Sequence, residues 1–326
     1  MKVRVVDKPL ISIVVCCHNR RHLLEKTMDS VFSQNYKPVE IVVLDDGSTD
    51  GTDELMASYG DRVRYQWQKN QGIAVARTNA CLLAKGEFIA FLDDDDLMPP
   101  DRLVVLYDAM CRHPASVLAV GDWMVIDGEG RQTGARWLPE GRLAKDEPLL
   151  IEDGYSAVLW PTVAATPHTT LFRRADGKRI GWFDDHFLYA SEDKDFFARL
   201  AHLGPIVYVP EIVSYYRRGH ASLTAQAIRL EYGSLFMFKK HLEMAGSNHE
   251  ALRQRLRSRI SMALKRIASY RSKGAPWPET VPENYLTLWL PMLKSVDRLK
   301  YLGYTYIKLP VQRWIGDIKQ ERIDGP

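Results

Sequence analysis

Cysteine is scarce in this chain of 326 residues: only Cys16, Cys17, Cys81 and Cys111 occur, and no two form a CxxC pair. That excludes a zinc knuckle or a thioredoxin-like motif and fits the reduced thiols of a cytoplasmic protein. No window of about 18 consecutive apolar residues is present, so no membrane-spanning helix is expected. The N-terminus has no basic segment followed by a long apolar stretch, so no signal peptide is expected either. Internal repeats and low-complexity tracts are missing. The first strand-like run is not followed by GxGxxG, which excludes a dinucleotide-dependent dehydrogenase. Nor is it followed by the Gly-rich, Arg- or Lys-bearing phosphate loop with which nucleotidyltransferases usually open; it ends instead in Cys16-Cys17-His18-Asn19.

What is present is a globular composition, with 46% apolar, 26% charged and 10% aromatic residues, enough for a sizeable core. The net charge of +3 is unevenly divided. Residues 225–326 carry 18 Lys and Arg against 9 Asp and Glu, whereas residues 1–224 carry 26 against 32. A basic tail on an acidic body has two readings, contact with an anionic surface such as a lipid leaflet, or a solvated helical face.

The first half alternates strand and helix patterns. Ile11–Cys16 is a β-branched run that can be buried on both faces. Leu23, Leu24, Thr27, Met28, Val31 and Phe32 recur at helical spacing and predict a helix over 20–34. Glu40–Leu44 reads as a strand, with a helix beginning near Asp50, where Ser, Thr and Asp supply capping oxygens. Val63–Trp67 is a strand, Ile73–Leu83 a helix stopped at Gly86, and Glu87–Leu92 a strand. Pro99 and Pro100 open a helix running to about Arg112. Strands follow at Val117–Ile126, with a hairpin turn at Asp127–Gly130, and at Thr169–Phe172, Ile206–Val209 and Val213–Tyr216. A helix is expected over Glu192–Leu203, and residues 131–165 read as irregular. From Ala225 the pattern is mainly helical, with Leu252, Leu256, Ile260, Ala263, Leu264 and Ile267 as one apolar stripe, a linker at 274–278, and a stretch at 298–316 of Tyr, Leu and Trp beside Lys and Arg, broken at Pro310. Short turns between alternating strands and helices imply a mostly parallel sheet covered on both faces.

Ligands of such sheets bind beyond the carboxyl ends of the strands. His18-Asn19, Asp45-Asp46 and Asp93-Asp94-Asp95-Asp96 all stand at such ends. Four adjacent aspartates repel one another where the dielectric is reduced, and are stable only if a cation or ordered donors neutralise them. Hard divalent ions such as Mg²⁺ and Mn²⁺ choose carboxylate oxygen and commonly bridge to phosphate. On a loop tip the same run would be an ordinary solvated acidic turn; its place at the end of Phe88–Leu92 argues for a ligand. Asp45-Asp46-Gly47-Ser48 can accept from a nucleobase or from ribose hydroxyls, or can simply be a capped turn. Glu192 and Asp193 can be a proton acceptor, or the acid-rich first turn of a helix.

The segments Ile13–Arg20, Glu40–Asp50, Asn70-Gln71-Gly72 with Ala76-Arg77, Phe91–Asp96, and Gly181–Asp184 with Glu192-Asp193-Lys194-Asp195 together resemble family 2 of the inverting glycosyltransferases. The resemblance spans about residues 9–224. It implies the GT-A fold, an α/β architecture with a single Rossmann-like, mostly parallel mixed sheet flanked by helices. Residues 1–224 would form the catalytic domain, its nucleotide-binding half at about 9–115 and its acceptor-binding half at about 116–224, and residues 225–326 a helical, basic extension. His18, Asn19, Asp45, Asp46, Arg77, Asp93 and Asp94 fall to the nucleotide, with Asp46 on the base (uracil) and Asp94 near the ribose. Asp95 is the main ligand for Mn²⁺ or Mg²⁺; Asp93 shares either the ribose or the metal, since DxD can be read as Asp93-x-Asp95. Asp193 is the general base, with Glu192 the alternative. Trp123, His168 and Arg217 fall to the donor or acceptor sugar.

Two departures from the family pattern matter. Relatives often carry YRxHxxS after the last strands, with the His on the metal or diphosphate; here Gly219 takes that place, and His220, one residue later, is the candidate left for the metal. The QxxRW motif and the membrane spans of processive synthases are missing, so transfer of one or a few sugars is expected. The partners implied are a nucleotide-sugar donor, UDP-linked, and a glycan or lipid-linked acceptor in cell-surface polysaccharide synthesis, with no nucleic acid. The tail would meet the inner face of the cell membrane peripherally, or form a homodimer. A nucleotidyltransferase and a catalytically inactive partner subunit are the competing readings.

Overall fold

The computed structural model describes residues 8–137, 147–160, 162–187, 190–219, 227–245 and 249–272. In chain order its strands are β1 (Ile11–Cys17), β2 (Val39–Asp45), β3 (Arg64–Trp67), β4 (Phe88–Asp93), β5 (Leu118–Ile126), β6 (Gln132–Arg136), β7 (Leu149–Ile151), β8 (Thr170–Arg173) and β9 (Ile206–Arg217). The helices are α1 (Arg21–Phe32), α2 (Thr52–Tyr59), α3 (Ile73–Leu83), α4 (Arg102–Arg112), α5 (Gly154–Leu159), α6 (Arg174–Arg179), α7 (Glu192–Ala201), α8 (Ala227–Met244) and α9 (Glu250–Ser272).

The strands form one mixed sheet in the order β3-β2-β1-β4-β8-β5-β9-β7, with β6 paired to β5. β3, β2, β1 and β4 run parallel. β8 is inserted antiparallel between β4 and β5, and β5 and β9 are parallel again. All seven residues of β1 are buried, because helices cover both faces of a parallel sheet and its strands therefore need apolar residues at every position. Burying each such Val, Ile or Leu side chain contributes about 1.5–3 kcal/mol. Leu24, Met28 and Val31 of α1 and Leu103, Leu106 and Met110 of α4 close on this sheet as part of one core.

Three expectations need correction. The two strands at 206–209 and 213–216 are one strand, β9, whose register against β5 shifts at Pro210–Glu211 and again near Val213. Pro210 cannot donate to a ladder, so the strand bulges rather than ends. The region 131–165, read as irregular, contains β6, β7 and α5. β6 is exposed at every position and β7 has three residues, so neither carries an alternating apolar signal. Between β4 and α4, Pro99 and Pro100 stand three and two residues before the first helical residue, Arg102, and Asp101 occupies the N-cap.

The chain divides into two compact units, one of residues up to 186 with 192–221, the other of residues 187–191 with 222–326. In the second, α8 and α9 pack on one another, burying Leu235, Leu242, Leu256, Ile260, Leu264 and Ile267. Arg255, Arg257 and Arg259 lie on the exposed side of α9. No helix among the described residues is long and apolar enough to cross a membrane. The expected linker at 274–278, the stretch at 298–316 and His220 lie outside the described residues.

Candidate active site

Strand register brings the polar clusters together. Cys17 pairs with Asp45 of β2, and Cys16 with Asp93 of β4. The residues that follow, His18, Asp46 and Asp94, therefore emerge side by side from three neighbouring strands. His18 N donates to Asp94 Oδ2 at 3.3 Å, and Asp46 N to the Cys17 carbonyl at 2.9 Å.

Asp46 is held from three directions. Its Oδ1 accepts from Gln71 N at 2.9 Å and Gln68 Nε2 at 2.7 Å, and its Oδ2 accepts from Gly72 N at 2.9 Å. Asp45 is built into the turn: Oδ1 accepts from Ser48 N at 2.7 Å and Oδ2 from the Tyr65 hydroxyl at 2.8 Å. Asn19 joins the loops after β1 and β2, its N donating to Ser48 Oγ and its Oδ1 accepting from Thr49 N. His18 is exposed, with a ring nitrogen 3.3 Å from Asn70 Nδ2.

The backbone of the acidic run is clamped from below. Thr27 Oγ1 donates to the carbonyls of Asp94 at 3.1 Å and Asp96 at 2.9 Å. Arg217 N donates to Asp96 Oδ1, and Arg217 Nε to the Asp95 carbonyl at 2.8 Å. The buried Arg217 guanidinium also reaches the Gly128 carbonyl at 2.9 Å, so it engages main chain beneath the site. Above, Arg20 Nη1 lies 2.8 Å from Asp94 Oδ1 and 2.7 Å from Asp95 Oδ2. Ordered donors thus meet the charge of the run. Burial still pushes the Asp94 carboxyl up to about 7, despite the Arg20 guanidinium beside it.

Arg77, on α3, spans the gap between the acidic run and α7. It lies 2.8 Å from Asp93 Oδ1 and 2.7 Å from Glu192 Oε1, and its guanidinium carbon is 5.7 Å from the Phe183 ring centre. Phe183 stacks on Phe196 of α7 at 4.2 Å. Although burial alone would raise the Asp93 carboxyl, Arg77 holds it below the usual aspartate range. Burial, with the neighbouring Asp193, pushes Glu192 up to about 7. Burial raises Asp193 as well, against the opposing pull of Arg77. Glu192 is buried, whereas Asp193 is half-buried with Oδ1 accepting from Lys194 N at 2.7 Å. Arg199 supports the preceding loop, pairing with Asp195 at 2.7 Å and donating to the carbonyls of Ile180 and Trp182.

His168 is buried: Nδ1 lies 2.9 Å from Ser214 Oγ, the ring stacks on Tyr216 at 5.3 Å, and burial lowers its pKa to about 4. Trp123 is half-buried, edge-on to Tyr216 at 5.2 Å. His168 and Trp123 thus form an aromatic wall on the β5–β9 side.

The non-glycine residues with positive φ among the described residues are Asn19 (51°), Trp182 (62°) and Ser191 (73°). One follows β1, one lies in the loop packed under α7, and one immediately precedes Glu192. Backbone of this kind costs about 1–3 kcal/mol and persists where surroundings over-determine it, commonly at sites. Sequence reading gave no role to Arg20, Thr27, Gln68 or Asn70. Arg20 directly follows His18-Asn19, a signal that could have been used; Thr27 reads simply as a member of the apolar helix face.

Among the described residues, the group of three metal-capable side chains whose ligand atoms lie within 4.8 Å of one another is Asp184, Asp185 and His186, beside α7. The acidic run offers Asp93 and Asp95, fewer protein ligands than that, in a setting rich in hard oxygen.

The family model for glycosyl transferase family 2 matches residues 12–174, half of the chain and the part that holds the first three strand ends. An uncharacterized glycosyltransferase of Rickettsia typhi is 27% identical over 256 residues, covering 75% of this chain and 78% of that protein. Among solved structures, S. aureus TarS 1-349 in complex with UDP-GlcNAc superposes with a TM-score of 0.61 at 17% identity, covering 90% of this chain and 81% of that one. The mannosyltransferase PcManGT from Pyrobaculum calidifontis, in complex with GDP-Man and Mn²⁺, does so with 0.56 at 19%, covering 93% and 87%. The sheet order, the acidic strand ends and the family match agree: this chain is a GT-A-fold glycosyltransferase acting on a nucleotide-sugar donor, and it belongs to glycosyl transferase family 2.

Proposed function

We propose that the chain transfers a sugar from a UDP-linked donor, with inversion, to a glycan or lipid-linked acceptor at the inner face of the cell membrane, using Mn²⁺ or Mg²⁺. The observation that carries this reading is the convergence of Asp46, Asp94 and His18 at three adjacent strand ends, with Asp193 and Glu192 brought to the same edge through Arg77.

Asp46 has its oxygens fixed by Gln68, Gln71 and Gly72. This sets the depth and orientation of a base seated beside His18, and Asp94 lies next to it for the ribose. The donor set at Asp95 and Asp93 suits a hard cation, which is usually held by one or two carboxylates together with substrate phosphates. When bound, that cation would neutralise the charge gathering on the departing diphosphate. On the opposite side, the acceptor hydroxyl attacks better as its proton moves to a carboxylate. Asp193 suits this role because it is half-buried, while Glu192 is drawn into its ion pair with Arg77. Trp123 offers an aromatic face to a sugar ring.

The test is nucleotide release from a panel of UDP- and GDP-sugars with Mn²⁺, analysed by mass spectrometry with and without lipid-linked acceptors. Turnover confined to UDP-sugars supports the donor assignment. Failure to hydrolyse or bind any donor would remove the reading.

A further inference from the structure

Arg20 stands where a cation would stand. One nitrogen, Nη1, is shared between Asp94 Oδ1 at 2.8 Å and Asp95 Oδ2 at 2.7 Å. The two carboxylates are almost wholly enclosed, with side chains 7% and 12% exposed. Their backbone is fixed by Thr27, which holds the Asp94 carbonyl, and by Arg217, which holds the Asp95 carbonyl. Asp94 is fixed further by His18 N. The main chain that carries both carboxylates is therefore held in place, which keeps the two charges close together.

Of the two guanidiniums at the run, Arg20 is the more exposed. It occupies the N-cap position of α1, outside the regular helix, and its long side chain is 25% exposed. Arg77, the other guanidinium at the run, is buried and tied to Asp93 and Glu192 at once. A small divalent ion such as Mg²⁺ takes oxygen ligands at about 2.0–2.1 Å. On Asp95 Oδ2 it would share an oxygen with the guanidinium, and two cations on one oxygen repel strongly at reduced dielectric. A nucleoside diphosphate carries its own anionic oxygens, to which a displaced guanidinium can bind bidentately.

We propose that Arg20 is the resident counter-ion of Asp94 and Asp95, displaced when the divalent cation arrives, so that the cation binds together with the donor's diphosphate rather than ahead of it. This rests on the assignment of Asp95 to the metal. It makes cation binding conditional on nucleotide: without diphosphate, Arg20 competes for the carboxylates; with diphosphate, Arg20 has another partner.

The experiment measures Mn²⁺ binding to the full chain by the loss of the free-Mn²⁺ paramagnetic resonance signal, with and without UDP, for the wild type and Arg20→Gln. The wild type is expected to bind Mn²⁺ weakly alone and at least about tenfold more tightly with UDP, as the removal of one competing charge at this distance implies. Arg20→Gln is expected to bind Mn²⁺ alone at least about tenfold more tightly than the wild type, and to lose most of the gain from UDP. Should Arg20→Gln be too unstable to titrate, Mn²⁺ alone is expected to raise its melting temperature more than that of the wild type; an equal or smaller rise overturns the proposal. Mn²⁺ binding to Arg20→Gln that is unchanged or weaker, in a wild type that does bind Mn²⁺ with UDP, overturns the role of Arg20 and leaves the metal assignment standing. A wild type that binds no Mn²⁺ even with UDP overturns both.

Discussion

Arg77 is buried between two carboxylates, Asp93 at 2.8 Å and Glu192 at 2.7 Å, and rests over the Phe183 ring. Removing one partner of such a buried arrangement leaves the others uncompensated, which costs about 3–5 kcal/mol. Its effect on ionisation has a definite sign. Burial raises both Glu192 and Asp193, and Arg77 opposes that rise at both residues. A base must be deprotonated to act, so activity falls on the acid side as its carboxylate takes up a proton. Without the guanidinium that carboxylate titrates higher, and the acid limb of kcat/KM should move to higher pH. Arg77→Gln is expected to shift that limb upward by about one pH unit or more and to lower unfolding stability, checked by a pH–rate profile and denaturant unfolding. A limb that stays in place, in a variant shown to be folded, contradicts the proposed base on α7.

At the scale of elements, the site depends on the turns after β1, β2 and β4. Gly47, after β2, has φ +89°, and a Cβ there would lie 2.8 Å from the Asn70 backbone nitrogen. Asn70 leads directly into Gln71 and Gly72, whose N–H groups hold Asp46. Gly47→Ala is therefore expected to cost about 1–3 kcal/mol in left-handed backbone strain and to weaken UDP binding by disturbing that cradle, as calorimetry and thermal unfolding would show. Unchanged melting and unchanged UDP affinity would contradict it. The turns were legible because Asp, Gly and Ser after a β-branched run announce a strand end. β6 and β7 were not, because an exposed edge strand and a three-residue strand leave no periodic trace. The bulge in β9 was read as a gap for a related reason: Pro210 interrupts the ladder without ending the strand. Which side chain would neutralise the aspartates was equally hidden. Sequence showed that something must do so; only the folded chain brings Arg20 across from the end of β1.

For the whole molecule, the parallel half of the sheet assembles the polar strand ends, and the β8–β5–β9 half with α7 adds the aromatic wall and the acidic helix start. Fold and family were legible because three polar clusters, His18-Asn19, Asp45-Asp46 and Asp93–Asp96, fall in register at one edge of the sheet. The substrate was not, since donor and acceptor choice follow from pocket shape, which motifs do not encode. The proposed chemistry turns on Asp95 gathering a divalent cation for the departing diphosphate. Its most direct test is a calorimetric titration of UDP into the wild type and Asp95→Asn, each with and without Mn²⁺. Mn²⁺ is expected to tighten UDP binding to the wild type by at least about tenfold and to have almost no effect on Asp95→Asn. An Asp95→Asn chain that keeps the full Mn²⁺-dependent gain would contradict it.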